Sequence, residues 1–290
     1  MRIFVTGASG FVGSAVVREL VAAGHQVVGL ARSESSAHAV EAAGAKVQQG
    51  DLGDLAALKQ AAAASDGVIH TAFGHDFSNF AASCEVDRLA IEALGAALAG
   101  SQRPLIVTAG SGTCRSEADE PNMPNMPRKS EQTGLSLTEK GVRAMVVRLP
   151  PSVHGAGDHG FVPALIRVAR EQGFSSYVAD GQNRWAAVHR LDAAKLYRLA
   201  LEKGAAGARY HGIGDEGVPT KQLAEAIAER LGVPAVSRSP AEAAALLGFV
   251  GHVFALDCAS SSKRTQELLG WRPTEVGLLA DLDQGHYFKA

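Results

Sequence analysis

The sequence predicts an α/β protein built on a doubly wound parallel sheet with a small C-terminal α/β lobe. Three observations carry this. Short apolar runs alternate with amphipathic stretches from residue 3 to residue 149, the rhythm of repeated βα units. Those runs show little polar alternation, as strands covered on both faces require. The first run leads straight into Thr6-Gly7-Ala8-Ser9-Gly10-Phe11-Val12-Gly13, a TGxxGxxG turn that opens a helix. That combination is the start of a Rossmann-type fold.

Taken in order, Ile3 to Val5 reads as a buried strand, Phe11 to Ala23 as an amphipathic helix stopped by Gly24, and Gln26 to Ala31 as the second strand. Ala37 to Ala43 reads as helix, Ala45 to Gln48 as strand, Leu55 to Ala64 as an Ala-rich helix and Val68 to His70 as strand. A long helix is expected from Phe77 to Ala99, then a strand from Pro104 to Thr108. Residues 110 to 127, rich in Pro, Ser, Asn and Asp, read as a loop. A helix from Arg128 to Lys140 and a strand from Ala144 to Leu149 follow. The second half is less regular. Helices are expected at Phe161 to Gln172, Asp192 to Glu202, Thr220 to Leu231, Pro240 to Leu247 and Ser262 to Leu269, with short strands at Tyr177-Val178 and Arg209 to Ile213. No linker or repeat separates the halves, so residues 1–150 are expected to form a nucleotide-binding core and 151–290 a substrate lobe interleaved with it.

Composition excludes several classes. Of 290 residues, 46% are hydrophobic and 20% charged, enough apolar content for a sizeable core. Twenty-eight Lys and Arg stand against 30 Asp and Glu, so no basic excess points to nucleic acid or an anionic membrane. No uninterrupted apolar run is long enough to span a bilayer. The N-terminus enters a strand directly, which leaves no room for a signal peptide. Cys84, Cys114 and Cys258 are far apart, suit a reducing cytosol and rule out a Cys-rich zinc site, so the expected location is cytoplasmic.

The glycine turn implies a bound dinucleotide. Gly7 permits the tight turn, Gly10 lets a pyrophosphate approach the backbone and Gly13 lets helix and sheet pack closely. The helix N-terminus offers free N–H groups to the anion. The end of the second strand chooses the cofactor. An NAD site usually carries Asp or Glu there, against the ribose 2′-OH. This chain has Arg32 and Ser33, which suit a 2′-phosphate, and the expectation is NADP(H). Glu34, one residue beyond, argues mildly the other way. Asp51, in Gly50-Asp51-Leu52, has two readings: an acceptor for the adenine amino group, or the cap of the helix that starts near Asp54.

With these residues in view, the chain resembles the extended short-chain dehydrogenase/reductase superfamily, the NAD-dependent epimerase/dehydratase group, over nearly its whole length. The segments that carry the resemblance are Thr6–Gly13, Gly50–Leu52, Val68–Ala72, Val107-Thr108, Val147–Gly155, Val188–Asp192 and Leu269–Pro273. The resemblance implies cofactor contacts from Ser9, Phe11 and Val12 in the glycine turn, from Asp51 and Leu52, from His70, Thr71 and Ala72 along the ribose, and from Pro151, Ser152 and Val153 at the nicotinamide. It also implies pairing of two copies through the helices near 77–99 and 128–140. Ile91, Leu94 and Leu98 fit such a face, and fit burial on the sheet equally well.

The chain departs from the family at its catalytic pair, Tyr-x-x-x-Lys on the helix after the fifth strand. The four tyrosines are Tyr177, Tyr197, Tyr210 and Tyr287, all downstream of that helix. The helix offers Arg128, Lys129, Ser130 and Glu131 instead. Carbonyl reduction still needs a proton source near the C-terminal strand ends. Position selects Ser111 as the leading donor, with Thr108 and His154 beside it and His70, Thr71, Thr113, Ser152, His75 and His159 as further candidates. Arg128 is a candidate clamp for a phosphate or substrate anion, or the partner of Glu131 three residues on. The spacing of His154, Asp158 and His159 does not suit a metal. Trp185, Tyr177 and Phe161 are candidates for an apolar wall or for ordinary core. The expected function is an NADPH-dependent oxidoreductase acting on a small aldehyde, ketone or related C=X compound with a non-tyrosine proton donor. A non-catalytic NADP(H)-binding sensor, and an isomerase or lyase that retains its cofactor, are the alternatives.

Overall fold

The computed structural model describes residues 1–74, 79–121 and 126–289. The first half runs β1 (Arg2–Thr6), α1 (Phe11–Ala22), β2 (Gln26–Ala31), α2 (Glu34–Ala42), β3 (Lys46–Gln49), α3 (Leu55–Ala63), β4 (Gly67–His70), α4 (Phe80–Leu98), β5 (Pro104–Gly110), α5 (Ser130–Ser136) and β6 (Arg143–Leu149). The second half runs β7 (Ser152–His154), α6 (Phe161–Gln172), β8 (Ser175–Val178), β9 (Arg184–His189), α7 (Arg190–Lys203), β10 (Arg209–His211), β11 (Asp215–Pro219), α8 (Thr220–Leu231), β12 (Ala235–Arg238), α9 (Pro240–Leu247), α10 (Phe249–Phe254), α11 (Lys263–Leu269) and α12 (Leu278–Asp283).

Among the described residues the main sheet has seven parallel strands in the order β10-β6-β5-β4-β1-β2-β3. Its order reverses between β1 and β4, so the C-terminal ends of those strands flank the switch-point crevice where such sheets bind ligands. On one face, α1 and α7 bury Val16, Leu20, Leu196 and Tyr197 against Ile3, Val5 and Ile106. On the other, α3 and α4 bury Leu58, Ile91 and Leu94 against Phe4, Val68 and Leu105. A third core, built around Trp185, Leu223, Phe254 and Leu282, belongs to the second half. β10 returns to the edge of the main sheet, and β7 pairs with β9 in a separate three-stranded sheet.

The strand β2 and the helices α6, α8 and α9 lie on the residues predicted for them. The expected helix at 37–43 starts earlier, at Glu34, because Ser33 and Ser36 cap each other's backbone N–H groups. The expected helix at 128–140 starts at Ser130 and tightens into a 3-10 turn over Leu137–Lys140. For the long helix, Phe77 lies outside the described residues. Short strands such as β7, β9 and β11 were not expected, since their pairing partners are supplied only by the fold. Ile91, Leu94 and Leu98 are fully buried against the sheet, so they form no exposed pairing face. The outward side of α4 instead carries Arg88 between Glu85 and Glu92. Trp185 is core, packed against Phe254 and Phe161 with its indole N–H donating to the Val253 carbonyl.

Candidate active site

The glycine turn forms a cradle that only glycine fits. Gly7 has φ +68°, and a Cβ on it would lie 2.7 Å from the Ala72 nitrogen. A Cβ on Gly13 would lie 2.0 Å from the Gly7 carbonyl oxygen. That carbonyl accepts from the Gly10 N–H at 2.9 Å, which tightens the loop onto the first turn of α1. Gly10 caps α1 without any side-chain acceptor, so the first N–H groups of the helix are open to an anion. Ser9 and Gly10 are exposed, while Phe11 and Val12 are half-buried. This cradle fits a dinucleotide pyrophosphate.

At the end of β2, Arg32 is exposed and makes no ion pair or hydrogen bond among the described residues. The Ser33 hydroxyl already caps α2. Glu34 lies 3.9 Å from His38, one turn along the same helix. Asp51 does not cap α3: Asp54 does, accepting from the Ala57 N–H at 3.0 Å. The Asp51 carboxylate closes its own turn by accepting from the Gly53 and Asp54 N–H groups. Leu52 packs against the α3–α4 core.

Beneath the cradle runs a buried polar chain. The Thr6 hydroxyl donates to His70 Nδ1 (2.8 Å), and His70 Nε2 donates to Asp87 (3.0 Å). The other Asp87 oxygen accepts from Ser130 Oγ (2.5 Å), and Ser130 accepts in turn from Arg128 Nε (2.9 Å). Burial pushes the Asp87 carboxyl up. The hydrogen bond from His70, with Arg128 and Ser130, outweighs it and holds the group below its ordinary value. Both ring nitrogens of His70 are therefore occupied inside the protein. The Thr71 hydroxyl donates to the Thr6 carbonyl, and the Ala72 N–H points to Thr6 Oγ1. Arg128 does not pair with Glu131. Its guanidinium stacks on Phe73 at 4.0 Å and donates to the Thr108 carbonyl. Glu131 is taken by Arg148 and Arg209.

At the end of β5 the Thr108 hydroxyl donates to the His70 carbonyl (2.7 Å) and meets the Tyr197 hydroxyl (2.7 Å). Its proton is thus engaged in joining β4 to β5. Ser111 differs: its Oγ is buried and without a partner among the described residues, while its N–H anchors to the Leu149 carbonyl. Ser152 Oγ and His154 Nε2 are likewise buried and, among the described residues, without a hydrogen-bond partner. They are two residues apart on β7 and so share one face of it, while Val153 packs on the α1–α7 core. Pro151 is half-buried at the turn into β7. His154 Nδ1 donates to Asp281 at 2.9 Å across 127 residues of chain. Asp158 accepts from Tyr287 and Gly160, and His159 rests edge-on against Phe11. Thr113 is half-buried in the loop after Ser111. His75 lies outside the described residues.

Several of these partners escaped the sequence reading. Tyr197 and Asp281 gave no local signal, because each acts through a neighbour about 90 residues or more away. Asp87 did give one: it stands in register with Ala90, Ile91 and Leu94, an acid inside the apolar stripe of α4.

His189 makes the site's support pH-sensitive. It caps α7 by accepting from the Leu191 N–H on Nδ1, which requires the neutral ring. Burial, then the neighbouring His154, lowers its pKa from 6.5; burial lowers that of His211 as well. The unfolded chain therefore takes up these protons first as pH falls, so stability is full above about pH 6.5 and declines below it. Urea midpoints measured from pH 7.5 to 5.5 should fall. His189→Asn, a cap that does not titrate, should make the fall shallower.

A glycine cradle at the switch point of a parallel sheet defines a dinucleotide-binding protein. A sequence profile for NAD(P)H-binding proteins matches residues 7–149. An uncharacterised protein of Schizosaccharomyces pombe is 49% identical over 99% of this chain and 100% of its own length. The 4-hydroxy-2-methyl-3-oxo-4-farnesyl-3,4-dihydroquinoline-1-oxide ketoreductase of Stigmatella aurantiaca is 30% identical over 87% of this chain and 80% of its own. The dTDP-glucose 4,6-dehydratase of Streptomyces venezuelae shares the fold, with a TM-score of 0.76 at 20% identity over 99% of this chain and 96% of that one. The chain belongs to the extended short-chain dehydrogenase/reductase family, in the NAD-dependent epimerase/dehydratase group. Within that family it lacks the Tyr-x-x-x-Lys pair. The profile match and the ketoreductase relative support an NAD(P)-dependent oxidoreductase role. Among the described residues no helix is long and apolar enough to cross a membrane.

Proposed function

We propose that the protein is an NADPH-dependent reductase of a small aldehyde, ketone or related C=X compound, with its proton supplied by Ser111 and His154. The observation that carries this is the set of buried, partnerless polar atoms, Ser111 Oγ, Ser152 Oγ and His154 Nε2, on segments that follow β5 and β6. Native proteins seldom leave such atoms unsatisfied, and a ligand is one remedy. When bound, the nicotinamide supplies a hydride to the carbonyl carbon. The Ser111 hydroxyl donates to the carbonyl oxygen as charge develops there. His154, whose imidazolium Asp281 would stabilise, carries the proton that completes the alcohol. Ser152 orients the carboxamide or the substrate, with Pro151 and Val153 shaping the wall beside it. Thr108 positions the end of β4 rather than giving a proton. Thr71 and Ala72 lie along the ribose, Asp51 and Leu52 flank the adenine, and Arg32 holds the 2′-phosphate. Arg128 faces an oxygen of the ribose or of the substrate. The ketoreductase name of the Stigmatella relative supports the carbonyl reading. Two copies pairing through α4 and α5 rests on the family resemblance.

The test is NADPH and NADH titration by fluorescence, followed by absorbance loss with a panel of aldehydes and ketones. Substrate-dependent NADPH oxidation is expected. Ser111→Ala and His154→Asn should each lower kcat by about 10²–10⁴-fold with NADPH affinity retained. Arg32→Ala should weaken NADPH about tenfold and leave NADH unchanged. NADPH bound tightly but never oxidised would overturn the reductase reading in favour of a sensor or an internal-redox enzyme.

A further inference from the structure

Arg190 is the first residue of α7, and its side chain reaches out of the second half of the chain to the first turn of α1. Nη2 donates to Ser14 Oγ at 2.9 Å, and the guanidinium carbon sits 4.4 Å from the centre of the Phe11 ring. Nη1 donates to the Ala156 carbonyl at 3.1 Å, in the loop that follows β7. Nε is buried and has no hydrogen-bond partner among the described residues. Among the described residues no carboxylate lies within ion-pair distance of it. The acid nearest in the loop, Asp158, is turned to Tyr287 and Gly160. That loop is shaped around the arginine: a Cβ on Gly155, where φ is +129°, would meet Arg190 Cγ at 3.1 Å and His189 at 2.8 Å.

Arg190 is half-buried with its Nε out of water, and a guanidinium drawn partly out of water without a carboxylate in contact is costly, since such groups are normally paired. Neither a carbonyl, a hydroxyl nor the Phe11 face supplies a negative charge. Burial weakens its hold on its proton and the neighbouring Arg18 adds repulsion, which Asp158, out of ion-pair contact, offsets only in part. Phe11 and Ser14 belong to the first turn of α1, whose N–H groups have no side-chain cap and are open to an anion. We propose that Arg190 is the cationic half of the dinucleotide diphosphate site, so that the second half of the chain closes onto the cofactor through a single arginine. This rests on the dinucleotide reading above. In this arrangement the glycine cradle supplies N–H groups and helix polarity from one side, and the arginine supplies full charge from the other. Ser14 and the Ala156 carbonyl act as struts that hold the fork ready. Diphosphate binding then also steadies the loop after His154, which ties cofactor occupancy to the order of the proposed proton-supplying residues.

The experiment is equilibrium titration of wild type, Arg190→Gln and Ser14→Ala with three ligands: NADPH, adenosine diphosphate ribose, and 2′-adenosine monophosphate, which lacks a diphosphate. Adenosine replaces the last if NADH binds more tightly than NADPH. Thermal melts establish that each variant folds. Arg190→Gln should weaken NADPH and adenosine diphosphate ribose by about 10- to 100-fold and change the monophosphate less than twofold. Ser14→Ala should weaken the two diphosphates severalfold. Should the glutamine variant not fold, Arg190→Lys takes its place, with at least a threefold loss on the diphosphates alone. Unchanged diphosphate affinity, or an equal loss on all three ligands, overturns the proposal and leaves Arg190 a structural strap. A wild-type protein that binds no dinucleotide removes the functional reading first and this proposal with it.

Discussion

Glu131→Ala should destabilise the fold by about 3–5 kcal/mol, the usual consequence of removing one member of a buried ion pair. Arg148 is fully buried in β6, and Glu131 grips it with both oxygens, at 2.8 Å to Nε and 2.6 Å to Nη2. The same carboxylate takes Arg209 Nε at 2.7 Å. Without it, Arg148 would keep only the Asp119 and Ser116 carbonyls and His211. Those carbonyls belong to the loop that begins at Ser111, so turnover should fall as well. Denaturant unfolding measures the first effect. The paired replacement Glu131→Leu with Arg148→Met should recover much of the loss, since it removes both charges together. A loss below about 1 kcal/mol for the single change would mean that water reaches the arginine and that the pair is not buried in solution.

Gly13→Ala should abolish measurable NADPH binding, with at least a 100-fold loss, and should cost about 1–3 kcal/mol of stability. The added Cβ would lie 2.0 Å from the Gly7 carbonyl oxygen, so backbone has to move. The carbonyl it displaces is the one that holds Gly10 at the head of α1. Gly110→Ala is the control, because a Cβ there meets nothing within 4 Å. It should bind NADPH as wild type does. Fluorescence titration and thermal melts on the two proteins check both halves. Normal cofactor affinity in Gly13→Ala would contradict the assignment of the cradle.

The parts legible in the sequence were those whose causes are local. Gly7 and Gly13 announce their close contacts because both contacts arise within one turn of chain or at the adjoining strand end. Gln26–Ala31 reads as a strand because its run of apolar residues cannot be anything shorter or longer. The absence of Tyr-x-x-x-Lys is a matter of counting. Arg148 and Asp87, charges inside apolar patterns, carried a signal of the same local kind that went unread, and each anchors a buried network. The partners of those charges were not legible. Nothing in Glu131 distinguishes an acid that serves Arg128, three residues before it, from one that serves Arg148 and Arg209. The helix geometry made the first look natural, and the packing of α5 against β6 chose the second.

The sequence by itself determined the dinucleotide-binding class, the order of the βα units and the loss of the family's tyrosine, because each depends on residues adjacent in the chain or on residue types that are simply present or missing. Only the tertiary structure decided which hydroxyls are free. Thr108 and Ser111 are three residues apart and chemically alike, yet Thr108 is spent on the His70 carbonyl and Tyr197 while Ser111 is left buried and open. It also decided that Asp281 orients His154 and that Arg190 meets Ser14, contacts that span 127 and 176 residues. A hydrogen bond depends on distance in space, and for pairs that far apart in sequence the distance is set by how the sheets and helices pack.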